Sequence, residues 1–128
     1  MARARILVAD DHKEMRDSIV RMLEREFEVL EPVKDGRELL EAASRLNPNV
    51  CIVDISMPMI SGIEATVKLL ESGSKAKIIF LTMHEDPDYL AAAFKAGASG
   101  YVIKSRMMSD LPVAIKEVLA GHTLRNPL

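Results

Sequence analysis

The sequence predicts a doubly wound α/β domain, with a five-stranded, mostly parallel sheet covered on both faces by five helices. Three observations lead there. Apolar runs at 6–9, 50–53 and 78–81 lack polar alternation, so each reads as a strand buried on both faces. Between such runs the apolar spacing changes to the period of a helix. The two patterns alternate five times, the order that builds a parallel sheet through crossover helices.

Ile6-Leu7-Val8-Ala9 forms the first strand and runs into Asp10-Asp11. From Lys13 onward, Met15, Ile19, Met22 and Leu23 fall along one stripe of a helix. Phe27-Glu28-Val29-Leu30-Glu31-Pro32-Val33 reads as the second strand, and Pro32, which lacks an N–H, assigns it to a sheet edge. Asp35-Gly36 makes a turn into a second helix marked by Leu39, Leu40, Ala43 and Leu46 and closed by Asn47-Pro48. Val50-Cys51-Ile52-Val53 is the central strand and ends on Asp54. Pro58 cannot extend it, so the chain leaves the sheet there, and Gly62 opens the next helical pattern.

Ile63, Thr66, Val67 and Leu70 mark that third helix, which Ser72-Gly73-Ser74 ends. Lys77-Ile78-Ile79-Phe80-Leu81 is the fourth strand, ending on Thr82. Asp86-Pro87 has the form of an N-cap followed by proline at the first helical position. Leu90, Ala93 and Phe94 face inward on that helix until Gly97 terminates it. Gly100-Tyr101-Val102-Ile103 is a short fifth strand ending on Lys104. Leu111, Ala114, Ile115, Val118 and Leu119 share one face of the last helix, stopped by Gly121.

Size and composition agree with this reading. A chain of 128 residues suits one domain, and nothing in it reads as a linker, repeat or low-complexity segment. With 17 basic and 19 acidic residues the formal charge is −2, which argues against a nucleic-acid surface or a polybasic membrane anchor. The single cysteine, Cys51, lies within an apolar strand and reads as a small buried hydrophobe in a reducing compartment. The apolar run after Met1-Ala2-Arg3-Ala4-Arg5 is too short for a signal-peptide core, and no run approaches a membrane span. A cytoplasmic protein is expected.

Four strands end on chemistry: Asp10-Asp11, Asp54, Thr82 and Lys104. In a parallel sheet these ends lie along one edge, where open α/β sheets bind their ligands. Taken singly, each has an ordinary explanation, since a strand-end Asp caps the following helix and Thr favours strands. Together, three carboxylates, a hydroxyl and an ammonium converge, and converging carboxylates need compensation. A hard divalent cation such as Mg2+, held by one or two carboxylates and a phosphate, supplies it. A carboxylate beside such an ion and a lysine is a competent nucleophile for phosphoryl transfer. No glycine-rich nucleotide loop is present, so the phosphoryl group is expected on a donor rather than in a bound nucleotide.

Asp10-Asp11, Asp54 with Met57-Pro58 and Gly62, Thr82, and Tyr101 three residues before Lys104 resemble the receiver domain of bacterial two-component response regulators. The resemblance runs from about Arg5 to Gly121. Asp11-His12, Leu81-Thr82-Met83-His84, Ala96-Gly97-Ala98-Ser99-Gly100-Tyr101 and Lys104-Ser105 are similar to the NarL/FixJ (LuxR-type) branch of transcriptional regulators. The resemblance implies a single receiver domain over 1–128 with the flavodoxin-like receiver fold, a five-stranded parallel sheet and five helices. Asp54 would accept phosphate from a histidine kinase. Asp11, Asp54 and the backbone carbonyl of Ser56 would ligate Mg2+, with Asp10 acting mainly through water. Thr82 and Lys104 would contact the phosphoryl group, and Tyr101 would change rotamer as Thr82 moves, outward before phosphorylation and inward after. A homodimer on phosphorylation, and DNA contact only through a C-terminal domain beyond these residues, would follow. Residue reasoning alone leaves open whether Asp54 or Asp11 is the acceptor. Ser105 stands where many receivers carry a proline.

The competing class is a haloacid-dehalogenase-like phosphatase, but that chemistry wants a second Asp two residues past the nucleophile, where this chain has Ser56. A degenerate receiver serving only as an interaction module would not need the intact set of Asp10, Asp11, Asp54, Thr82 and Lys104. The expectation is therefore a switch rather than a turnover enzyme. His12 and His84 have no histidine or cysteine at metal-ligand spacing and read as non-ligands. Ser56 and His84 each lie two residues past a site residue and look out over the phosphoryl position in receivers. Most of Met57, Met59, Met83, Met107 and Met108 read as gap-filling core side chains.

Overall fold

The structure is a computed structural model that describes residues 3–124. Met1 and Ala2 of the basic start, and the last four residues of the chain, lie outside the described residues. The elements alternate as β1 (Arg5–Ala9), α1 (Lys13–Leu23), β2 (Glu28–Val29), α2 (Gly36–Leu46), β3 (Val50–Val53), α3 (Gly62–Glu71), β4 (Lys77–Thr82), α4 (Pro87–Lys95), β5 (Gly100–Ile103) and α5 (Met107–Leu119). All pairings are parallel, and the strand order is β2-β1-β3-β4-β5. The chain moves from β1 outward to β2 and then crosses to β3, so the order reverses between β1 and β3. That reversal opens a crevice at the strands' C-terminal ends, between Asp10-Asp11 and Asp54.

The pleat divides the core in two. Leu7, Ala9, Cys51, Val53, Ile78, Phe80, Tyr101 and Ile103 face one side, where they meet Leu39, Ala43, Ala65, Leu69 and Ala93 from α2, α3 and α4. Ile6, Val8, Val50, Ile52, Ile79, Leu81 and Val102 face the other, against Ile19 and Leu23 of α1 and Leu111, Ala114, Ile115 and Val118 of α5. Strict alternation of buried residues on every central strand is what two covered faces require.

Local signals set the helix ends. The Asp35 carboxylate accepts from the Glu38 backbone N–H and caps α2, so Asp35-Gly36 is a helix start rather than a free turn. Asp86 caps α4 by accepting from the Asp88 N–H, with Pro87 next in the first turn, where its missing N–H costs nothing. Asn47 ends α2 in the left-handed region at φ 48°, and Gly97 follows α4 at φ 112°.

Three expectations are corrected. The strand expected over 27–33 is paired only at Glu28–Val29, with Val33 making a separate bridge to Ala9. The N–H groups of Glu28, Leu30 and Val33 donate to the carbonyls of Ala4, Ile6 and Val8. One extra residue therefore sits between Leu30 and Val33, where Pro32 cannot donate, and the ladder bulges there. On α3 the buried stripe is Ala65, Thr66 and Leu69, which leaves Val67 exposed, and Leu119 at the end of α5 is exposed as well. Finally, Met59, Met83 and Met108 are exposed to 70% or more (71%, 77% and 72%), and of the five methionines only Met57 is fully buried, with Met107 packed partly against the core.

Candidate functional site

The strand ends converge as the sequence predicts. Asp10 and Asp11 follow β1, Asp54 follows β3, Thr82 closes β4 and Lys104 follows β5. Asp10 is 1% exposed, Asp54 4% and Thr82 0%, so the site lies below the surface. Lys104 begins a 3-10 turn, Lys104–Arg106, that the sequence reading does not anticipate. From the sheet edge its side chain reaches past β4 and sets its ammonium 2.9 Å from Asp10 Oδ2 and 3.3 Å from Asp54 Oδ2. One lysine thus bridges the two most buried carboxylates.

The electrostatics follow from that burial. Desolvation raises the Asp54 carboxyl above its ordinary value; Lys104 opposes the shift and the Asp10 charge adds to it. Burial works against the Lys104 ammonium, but the Asp10 and Asp54 carboxylates outweigh it and raise its pKa. The lysine therefore stays charged between two acids.

The loop after β3 is held tightly. The Ser56 N–H donates to Asp54 Oδ1 at 3.2 Å, and the Gly62 N–H donates to the Ile55 carbonyl at 2.8 Å. A Cβ on Gly62 would stand 2.2 Å from the Asp54 carbonyl oxygen, so only glycine lets α3 begin this close to Asp54. Within the loop Met59 takes φ 71°, a left-handed conformation that a methionine rarely adopts.

The acids are suited to a cation. One ligand atom from each of Asp10, Asp11, His12 and Asp54 lies within 4.8 Å of the others. Asp10 Oδ2 and Asp11 Oδ1 are buried and accept no hydrogen bond, although Lys104 forms an ion pair with the first. Hard oxygen donors left unsatisfied in a negative pocket fit a divalent ion such as Mg2+.

A model of the response regulator receiver domain matches residues 6–116. The chain belongs to this receiver family. Among its relatives, the transcriptional regulatory protein DegU of Brevibacillus brevis is 36% identical over 124 residues, which cover 95% of this chain and 52% of that protein. The response regulator GacA of Pseudomonas viridiflava is 37% identical over 125 residues, 96% of this chain and 58% of that protein. The chain thus spans little more than half the length of these relatives. Its structure is similar to a LuxR-family two-component response regulator from Aurantimonas sp. SI85-9A1, with a TM-score of 0.91 and 33% identity over 99% of this chain and 90% of that one. These relatives belong to the LuxR/FixJ branch.

In this receiver Thr82 and Tyr101 both bond to His84, which the sequence places beside the phosphoryl position but does not link to Tyr101. The His84 N–H donates to Thr82 Oγ1 at 3.1 Å, and the Tyr101 hydroxyl donates to the His84 carbonyl at 2.7 Å. The Tyr101 ring is buried, the inward arrangement. Burial pushes its phenol up to about 12. The His84 ring stands 2.9 Å from Ser56 Oγ through Nε2 and stacks on Tyr89, with centroids 4.1 Å apart. The two-residue offset of Ser56 and His84 from Asp54 and Thr82 was the signal that placed them beside the site; their bond to each other had none.

Proposed function

We propose that this receiver is a phosphorylation switch in which Asp54 accepts a phosphoryl group from a histidine kinase. The observation that carries the reading is the Lys104 ammonium, 2.9 Å from Asp10 and 3.3 Å from Asp54 at the mouth of the crevice. An Asp54 carboxylate oxygen attacks phosphorus, the bond to the donor histidine nitrogen breaks, and an acyl phosphate forms. Lys104 then exchanges part of its hold on Asp54 for the phosphoryl oxygens, whose charge it offsets. Asp10, Asp11, Asp54 and the Ser56 carbonyl would hold Mg2+, which would neutralise negative charge as donor and acceptor approach. Thr82 hydrogen-bonds a phosphoryl oxygen, and Tyr101 reports its movement to the surface around α4 and β5.

The chain acts as a signal carrier rather than a turnover enzyme, in the cytoplasm, and regulates transcription through a DNA-binding output domain, with homodimerisation on phosphorylation. Relatives named as transcriptional regulators support that output, and so does a similar structure titled a DNA-binding response regulator of the LuxR family from Staphylococcus aureus. Among the described residues no helix is long and apolar enough to cross a membrane. The test is transfer of label from a phosphorylated histidine kinase in the presence of Mg2+, comparing wild type with Asp54→Asn. Transfer to wild type alone supports the reading; equal transfer to both refutes it.

A further inference from the structure

We infer that His12 supplies an imidazole ligand to the cation site, so that this receiver also takes a borderline transition ion, Zn2+ or Co2+, which competes with Mg2+. The inference rests on the metal part of the proposed function and concerns which ions the site accepts.

Sequence spacing gave His12 no partner, because its partners are carboxylates, two of them adjacent in the chain. His12 Nδ1 lies 3.0 Å from Asp11 Oδ1 and 3.4 Å from Asp10 Oδ1. Asp11 Oδ1 nonetheless accepts no hydrogen bond, so the pair is close but poorly aligned. Asp10 Oδ2, on a residue 1% exposed, faces the same pocket with the Lys104 ammonium at 2.9 Å as its close neighbour and no well-aligned hydrogen bond. The backbone fixes the arrangement, since the His12 N–H donates to Asp10 Oδ1 at 2.9 Å. The His12 side chain is 70% exposed, so its ring is free to turn toward an ion without displacing core atoms.

Ligand chemistry then sets the selectivity. Mg2+ demands hard oxygen donors and gains little from an imidazole, whereas Zn2+ and Co2+ favour one. Three carboxylates and one imidazole form a four-donor set of the kind zinc accepts. Removing the imidazole therefore weakens the borderline ions and spares Mg2+.

The experiment titrates Zn2+, Co2+ and Mg2+ separately into wild type, His12→Ala and Asp11→Asn, using calorimetry, Co2+ visible absorption and the imidazole nitrogen shifts of His12. We expect Zn2+ and Co2+ affinity to fall roughly tenfold or more in His12→Ala, with Mg2+ affinity little changed. Asp11→Asn should weaken all three. In wild type, Zn2+ should shift the His12 nitrogens. Equal Zn2+ affinity in wild type and His12→Ala, or His12 nitrogens unmoved by Zn2+, overturns the inference while leaving Mg2+ binding intact. Failure of Mg2+ to bind wild type overturns instead the metal part of the proposed function.

Discussion

The Tyr101 hydroxyl donates a 2.7 Å hydrogen bond to the backbone carbonyl of His84, whose own N–H donates to Thr82 Oγ1 at 3.1 Å. Thr82 and Tyr101, on adjacent strands, are thus joined through one peptide segment. A shift of the Thr82 hydroxyl toward a phosphoryl oxygen draws on the His84 N–H and so on the bond that holds Tyr101 inward. Thr82→Ala should still load Asp54 with beryllofluoride, but the Tyr101 ring resonances should respond far less than in wild type. Identical Tyr101 responses in the two proteins would show that the coupling runs elsewhere.

The same burial gives Tyr101 a pH signature. Its phenol is pushed up to about 12, chiefly by desolvation. The neutral form is favoured in the folded state, so the stability it lends is complete below the ordinary tyrosine pKa of about 10. That stability is lost as pH rises through about 12. Tyrosinate absorbance in a Tyr89→Phe background should show Tyr101 ionising well above an exposed tyrosine. Ionisation at the ordinary value would contradict the buried, hydrogen-bonded ring.

Asp10 and Asp11 should prove unequal. Asp10 is committed to Lys104 at 2.9 Å, while Asp11 is partly exposed and keeps an unpartnered oxygen. Asp11→Ala should therefore weaken Mg2+ more than Asp10→Ala, read from chemical shifts during Mg2+ titration. The reverse order would show that the pair was assigned the wrong way round.

Gly62→Ala tests how α3 sets the acceptor. The added methyl would stand 2.2 Å from the Asp54 carbonyl oxygen, just past β3, and 2.9 Å from Val53 Cγ1 at its end, where the buried backbone cannot yield freely. The expected cost is about 1–3 kcal/mol in urea unfolding, with slower phosphorylation of whatever folds. Unchanged stability and rate would mean the loop is looser than it looks.

Most of the fold was legible because the signals were redundant. Uninterrupted apolar runs marked β3 and β4, and Asp86-Pro87, Asn47 and Gly97 marked helix ends by backbone chemistry alone. The second strand was overextended because apolar composition does not reveal a bulge at Pro32. Asp10, Asp54, Thr82 and Lys104 were found because a parallel sheet aligns its strand ends. The link from His84 to Ser56, Thr82 and Tyr101 was hidden, since two of its bonds use backbone atoms that every residue carries. Exposure of Met59 and Met83 was missed for a related reason: they sit on site loops, where position and not hydrophobicity decides burial.

The central claim is that Asp54, bridged to Asp10 by Lys104, is the side chain that takes the phosphoryl group. Its most direct test is intact mass after acetyl phosphate and Mg2+, followed by borohydride trapping and peptide mapping, in wild type and Asp54→Asn. A single phosphate on wild type, trapped at Asp54, absent from Asp54→Asn and lost when Mg2+ is chelated, is the predicted result. A phosphate that persists at full level in Asp54→Asn, or one trapped at Asp11, would contradict it.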